Sequence, residues 1–287
     1  MIGFLSVIKP KGINSTKVVS LVKRITGEKV GHLGTLDPLA EGVLPIAIGK
    51  ATRLFNYFLN KQKTYIATCE FGYETTTLDS SGDVVQKSQK VPTINEIIKI
   101  LPKFVGKMQQ IPPEYSAKRV NGERAYDLAR QGIKPSLKPR AIQIYKLELI
   151  GYENKQLTLR MEVSGGTYVR AIFRDIAKEL KTFATTTMIN RIASGPFTES
   201  SSLHFNEITL NAINQHLITI EEALVGLKTI TINKSQEKEL ISGKLVKIER
   251  QDEKNVVIKT EDGFIYGLAD IVNEYVKISA FLLENNA

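Results

Sequence analysis

Three observations predict a mixed α and β architecture, followed by a small β-rich tail, for this 287-residue chain. Segments that alternate apolar and polar residues recur along the chain, Tyr65 to Phe71 and Leu157 to Val163 most clearly, and a period of two marks strands. Others return an apolar residue every three or four positions, as Val18, Leu21, Val22 and Ile25 do, and that is the pattern of a helix with one buried face. From Thr229 onward the texture shifts to short strands and turns. A small all-β unit is therefore expected, with the chain dividing near Gly226 into domains 1–226 and 227–287.

In chain order, Gly3 to Ile8 is the first predicted strand, ended by the turn Lys9-Pro10-Lys11-Gly12. Ser15 or Thr16 is placed to cap the helix that Gly27 stops. Ala51 to Asn60 reads as a helix burying Leu54, Phe55, Phe58 and Leu59. Glu74 to Asp83 is polar and glycine-bearing, hence loop, and Val84-Val85 resumes a strand. Thr93 and Glu96 form a capping box opening a helix through Ile97, Ile98 and Leu101, bent or ended at Pro102. Ala141 to Ile150 and Leu157 to Val163 are expected to pair about a turn at Glu153-Asn154. Met188 to Ala193 is a further strand, Thr198 to Ser202 loop, and Glu221 to Leu224 a short helix. In the tail, Val256 to Lys259 and Phe264 to Leu268 read as strands.

Composition narrows the function classes. A hydrophobic share of 42% with 24% charged residues is ordinary for a globular protein, and no apolar run approaches the roughly 18 residues that span a bilayer. Met1 to Ile8 is too short and lacks the basic flank of a signal peptide, so a cytoplasmic protein without membrane contact is expected. The single cysteine, Cys69, excludes an intramolecular disulfide or multi-cysteine metal site, and His32, His204 and His216 lack ligand spacing, so no metal is expected. The net charge of +9 favours polyanionic partners.

That charge concentrates in Gln109 to Arg140, where Lys118, Arg119, Arg124, Arg130, Lys134, Lys138 and Arg140 crowd among Pro112, Pro113, Pro135 and Pro139. Asn121-Gly122 signals a two-residue hairpin, and Tyr126 to Gln131 a short helix closed by Gly132. Arginines neutralise phosphates and aromatics stack on unpaired bases, so with Tyr115 and Tyr126 interleaved this is read as a nucleic-acid clamp. A solvated surface excursion is the alternative.

The candidate for chemistry is Gly31 to Gly49, GHLGTLDPLAEGVLPIAIG. A polar tip carrying His32, Thr35 and Asp37 is pinned by Gly31, Gly34 and Pro38 and runs into the apolar segment Val43 to Ile48, a rigid loop beside a buried strand. Pro38 pushes Asp37 towards an extended conformation, which would present its carboxylate. Capping of the turn by Asp37 stays open on local sequence alone. Further on, Ser164-Gly165-Gly166-Thr167-Tyr168-Val169-Arg170 leads into a helix with Ile172, Ile176 and Leu180 inward, so Arg170 either projects into a cleft or forms a surface ion pair.

Taken together, GHLGTLDPLAEGVLPIAIGKATRL (Gly31 to Leu54), IPPEYSAKRVNGERAYDLARQG (Ile111 to Gly132) and SGGTYVRAI (Ser164 to Ile172) resemble the tRNA pseudouridine synthase B family. The resemblance runs from KPKG at Lys9 into the tail, in the same order and similar spacing. It implies an α+β fold, a central mixed, largely antiparallel sheet flanked by helices, with a PUA-like RNA-binding module at the end. It also implies isomerisation of uridine 55 in the T-loop of tRNA to pseudouridine, with no cofactor, and a monomer without an obligate protein partner. By matching positions, Asp37 is the catalytic aspartate, Tyr65 the active-site tyrosine, Arg170 the arginine that pairs with the aspartate, and His32 the histidine near the displaced nucleotide. Lys9, Tyr115, Lys118, Arg119, Arg124, Tyr126, Arg130 and Tyr168 are the remaining candidate RNA contacts. Leu33 and Gly165 depart from the family pattern, which is usually small or polar at the first and often basic at the second. Two rivals are weighed: a non-catalytic RNA-binding or tRNA-folding protein, and a glycosidic hydrolase pairing Asp37 with Glu41 or Asp175.

Overall fold

The structure, a computed structural model, describes residues 1–116, 118–120 and 122–282; Asn121 of the expected hairpin turn and the side chain of Arg119 lie outside the described residues. A ten-stranded sheet organises the chain. Edge to edge its path runs Leu203–His204, Gly3–Lys9, Glu41–Ile48, Ala184–Ser194, Lys63–Phe71, Gln156–Val163, Arg140–Glu153 and Gly106–Gln110, while Val30–His32 and Phe197–Thr198 pair off this path. Gly3–Lys9 runs parallel to Leu203–His204, and Glu41–Ile48 parallel to Ala184–Ser194. The other pairings are antiparallel, so the sheet is mixed and largely antiparallel as expected.

Helices Ser15–Thr26 and Val169–Glu179 lay Val18, Val22, Ile172, Phe173 and Ile176 into one core with Leu5, Leu44, Ala67 and Leu159 of the sheet. The first helix is capped by Asn14, whose side chain accepts from Lys17 N–H at 2.8 Å, rather than by Ser15 or Thr16. Ser15 is buried instead, its hydroxyl donating to the carbonyl of Leu36 and accepting from its N–H, both at 2.9 Å. The helix start is thereby tied to the residue before Asp37.

Other departures from the sequence pattern have local causes. Ala51 to Asn60 splits into a 3₁₀ turn, Gly49–Leu54, and a helix, Phe55–Leu59. Three residues per turn in the first part shift the register, so Phe55 is 38% exposed while Ala51, Leu54 and Phe58 are buried. Ile94–Ile100 likewise gives way to a 3₁₀ turn at Leu101–Phe104 around Pro102, and Ile98 faces outward. The strand expected at Met188 to Ala193 begins at Ala184, because register shifts at Thr186/Met188 and Arg191/Ala193 interrupt its alternation. The hairpin turn falls at Asn154-Lys155, with φ of 49° and 66°, the left-handed pair that a two-residue turn of twisted strands requires.

Gly106–Gln110 pairs with Arg140 to Ile144, so the basic insertion leaves and re-enters the sheet on adjacent strands. In the tail, Thr229–Ile232, Glu253–Thr260, Ile265–Val272 and Tyr275–Phe281 form a second sheet. It is accompanied by a helix, Lys234–Ile241, capped by Asn233, where strands alone were expected. Val257, Leu268 and Leu282 pack with Ala51, Leu54 and Phe58, and Arg53 donates to the carbonyl of Phe281 at 2.7 Å. Among the described residues no helix is long and apolar enough to cross a membrane.

A close approach of backbones lies beside the Asp37 loop. Gly42 has a φ of 100°, and a methyl group there would lie 2.3 Å from Asn190 Oδ1 and 2.4 Å from the carbonyl oxygen of Arg191. Gly42→Ala is expected to cost at least about 2 kcal/mol in urea unfolding, through strain and displaced neighbours together.

Candidate active site

The three sequence stretches singled out above meet at a cleft of about 590 Å³, lined by Thr35 to Asp37, Tyr65, Lys118, Arg140 and the run Gly165 to Arg170 among others. Asp37 supplies the only carboxylate among the described residues lining it. Glu41 and Asp175 are absent from the lining, and Asp175 pairs with Arg174 at 2.8 Å, so the carboxylate pair of a hydrolase does not form here.

The loop is fixed through its main chain. Ser15 clasps Leu36, Gly12 N–H donates to the carbonyl of Pro38 at 2.8 Å, and Ala40 N–H to that of Asp37 at 3.0 Å. Arg191, 1% exposed, donates from Nε to the carbonyl of Val43 at 2.7 Å and from Nη2 to that of Gly34 at 3.0 Å. The Asp37 side chain is thus not needed as a cap. It remains 39% exposed to the cleft and meets Arg170 Nη2 at 2.7 Å.

Arg170 is buried, and its guanidinium is fully directed. Nη1 donates to the carbonyl of Thr77 at 2.7 Å and lies 3.3 Å from Asp79 Oδ2, while Nη2 also donates to the carbonyl of Tyr115 at 3.1 Å. Asp79, missed by the sequence reading, is buried too; its Oδ1 accepts from the Thr77 hydroxyl at 2.7 Å and from Ser81 N–H at 3.0 Å. Hydroxyl residues two positions to either side of an aspartate were the available signal. Gln110, also missed, accepts from Tyr168 N–H at 2.9 Å and donates to its carbonyl at 3.1 Å, fixing the start of the Arg170 helix. Tyr65 and Tyr168 both line the cleft.

Other candidates are placed differently. Lys9 is 0% exposed and donates to the carbonyls of Pro10 and Ile13, both at 2.8 Å; it staples its own turn and presents no ammonium to RNA. His32 lies outside the lining, with Nδ1 buried and without a partner, and burial followed by the field of Arg191 lowers its pKa. Tyr115 contributes its carbonyl to Arg170. Arg124 and Arg130 flank the Tyr126 ring at 5.7 and 5.4 Å, away from the cleft, and Lys118 lines it.

The sequence profile of the TruB family pseudouridylate synthase N-terminal domain matches residues 23–169. A tRNA pseudouridine synthase B of Clostridium novyi is 37% identical over 99% of this chain and 100% of its own. The chain belongs to the TruB family of pseudouridylate synthases. The tRNA pseudouridine synthase B of Rickettsia conorii is 39% identical over 84% of this chain and 71% of its own. A chain of a Cbf5-Nop10-Gar1 complex shares the fold, with a TM-score of 0.74 at 23% identity over 99% of this chain and 86% of that one.

Both departures from the TruB pattern have structural reasons. Leu33 is buried against Phe4, Val43 and Ala47 in the core. A methyl group on Gly165 would lie 2.2 Å from the carbonyl oxygen of Leu59, so this backbone path admits only glycine.

Two outcomes are expected. Asp79→Ala leaves buried Arg170 short of one carboxylate and should destabilise the fold by about 3 kcal/mol in urea titration. Lys63 lines the cleft with its ammonium on the carbonyls of Leu59 and Lys61, and burial followed by the field of Arg191 lowers it from 10.5 to about 7. Between those values the unfolded chain holds more protons at this site than the folded one, so its contribution to stability rises with pH. Wild type should gain stability relative to Lys63→Met as pH rises from about 7 to about 9.5, read from urea midpoints.

Proposed function

We propose that this TruB-family chain isomerises uridine 55 in the T-loop of tRNA to pseudouridine, with Asp37 as the catalytic carboxylate. One observation carries the reading: Asp37 is held by Arg170 at 2.7 Å yet 39% exposed to a cleft that also presents Tyr65. The reaction breaks N1–C1′, rotates the retained uracil, forms C5–C1′, releases the C5 hydrogen to solvent as a proton and leaves N1 protonated in its place. A carboxylate acting as nucleophile or base suits it. Tyr65 faces the detached uracil and limits its movement. Because a stacked base cannot reach the cleft, the uridine is extruded from the loop, at a cost of a few kcal/mol offset by new contacts.

The insertion at 109–140 closes on the T-arm, and the names of the relatives, each a tRNA pseudouridine synthase B, support tRNA as the substrate. The tail from 227 serves as a PUA-like RNA-binding domain, a role consistent with its separate four-stranded sheet.

A T-arm hairpin tritiated at uridine C5 tests the reading. Wild type is expected to release tritium to water, and Asp37→Ala to slow release at least about a hundredfold while retaining RNA binding. Full activity in Asp37→Ala would refute the assignment; release of free uracil would identify a hydrolase.

A further inference from the structure

A second cation beside the cleft is left over by this scheme. Arg140 opens the strand that receives the basic insertion, where pairing with Gln110 fixes its main chain. Its guanidinium rests on the backbone of Gly166: a methyl group built there would lie 2.3 Å from Nη2, 2.5 Å from Nη1 and 2.6 Å from Cζ. Gly166 has a φ of 78°, a left-handed backbone conformation that calls for glycine. The other arginines of the cleft are consumed, Arg170 by two carboxylates and two carbonyls, Arg191 by carbonyls. No hydrogen bond or ion pair of the Arg140 side chain occurs among the described residues. Lys118, lining the same cleft, has a single long contact of 3.5 Å with the carbonyl of Lys138.

We propose that Arg140, seconded by Lys118, forms a subsite for the phosphodiester adjoining the extruded nucleotide. A guanidinium offers a planar fork of donors that matches two phosphate oxygens. The one carboxylate among the described residues lining the cleft is already held by Arg170, so it does not compete for this fork. A base delivered to Asp37 brings its own phosphates to the cleft rim, where Arg140 has no hydrogen-bond or ion-pair partner among the described residues and Lys118 has one long contact with a carbonyl. The subsite rests on the RNA-substrate reading above.

The test measures binding of a T-arm hairpin across a salt series, with the linkage on either side of the target uridine replaced in turn by a neutral methylphosphonate. For wild type, one of the two replacements should weaken binding about tenfold and reduce the slope of log K against log salt by about 0.7. Arg140→Met should show both losses with natural RNA and no further loss from that replacement, its thermal unfolding staying cooperative; Arg140→Lys should recover most of the slope. KM for tritium release should rise more than kcat falls. An Arg140→Met protein with wild-type affinity and salt slope overturns the subsite, as does equal sensitivity of both proteins to each neutral linkage. A fall in kcat with unchanged affinity reassigns Arg140 to holding the Gly166 turn. Wild type failing to bind the hairpin refutes the function reading and the subsite together.

Discussion

The site depends on one buried cation shared between two carboxylates. Arg170 cannot be buried alone, because a desolvated guanidinium without partners costs several kcal/mol. Asp79, equally buried, meets that need from the interior side, and its other oxygen is saturated by Thr77 and Ser81. The Asp79 pairing leaves Arg170 with one edge directed at the cleft, and there Asp37 docks from the open side. Asp37 is therefore oriented from within while its far face stays accessible. A carboxylate paired directly with a mobile surface arginine would have neither property, since exposed pairs contribute about 0 to 1 kcal/mol and hold no fixed geometry.

The same arginine links the chemistry to the insertion. Its Nη2 is bonded both to Asp37 and to the carbonyl of Tyr115, where the insertion begins, while Arg174 on the same helix holds the carbonyl of Ile111. A displacement of that root changes the partners of the guanidinium which orients the carboxylate. The insertion and the site carboxylate are joined by one side chain rather than by a long path of contacts.

Much of this was legible where the determinant is local. Period-two alternation located Tyr65 to Phe71 and the paired strands after Ala141, the Thr93 capping box located its helix, and the Gly-Pro pins around Asp37 marked a stiff loop. What escaped was set by partners far along the chain. Asp79 reads as one acid in a polar loop until Arg170 is brought to it, and Ser15 as a helix cap until Leu36 claims its hydroxyl. Lys9 was misread for a related reason: residue type suggests a surface cation, whereas the carbonyls of Pro10 and Ile13 make its burial tolerable. The bulges of Ala184–Ser194 broke the alternation that would have shown the whole strand.

Three buried cations, Lys9, Lys63 and Arg191, face main-chain carbonyls, and this choice of partner is itself informative. A carbonyl is a weaker partner than a carboxylate, so desolvation is less fully offset, and Lys9 and Lys63 have pKa values drawn down to about 8 and about 7. In exchange the loops carrying those carbonyls are fixed without introducing another negative charge near Asp37. A carboxylate in the same place would compete for Arg170 and repel the phosphates of an incoming RNA. The stiff loop around Asp37 is thus fixed by cations and backbone, which leaves Asp37 as the one carboxylate among the described residues lining the cleft.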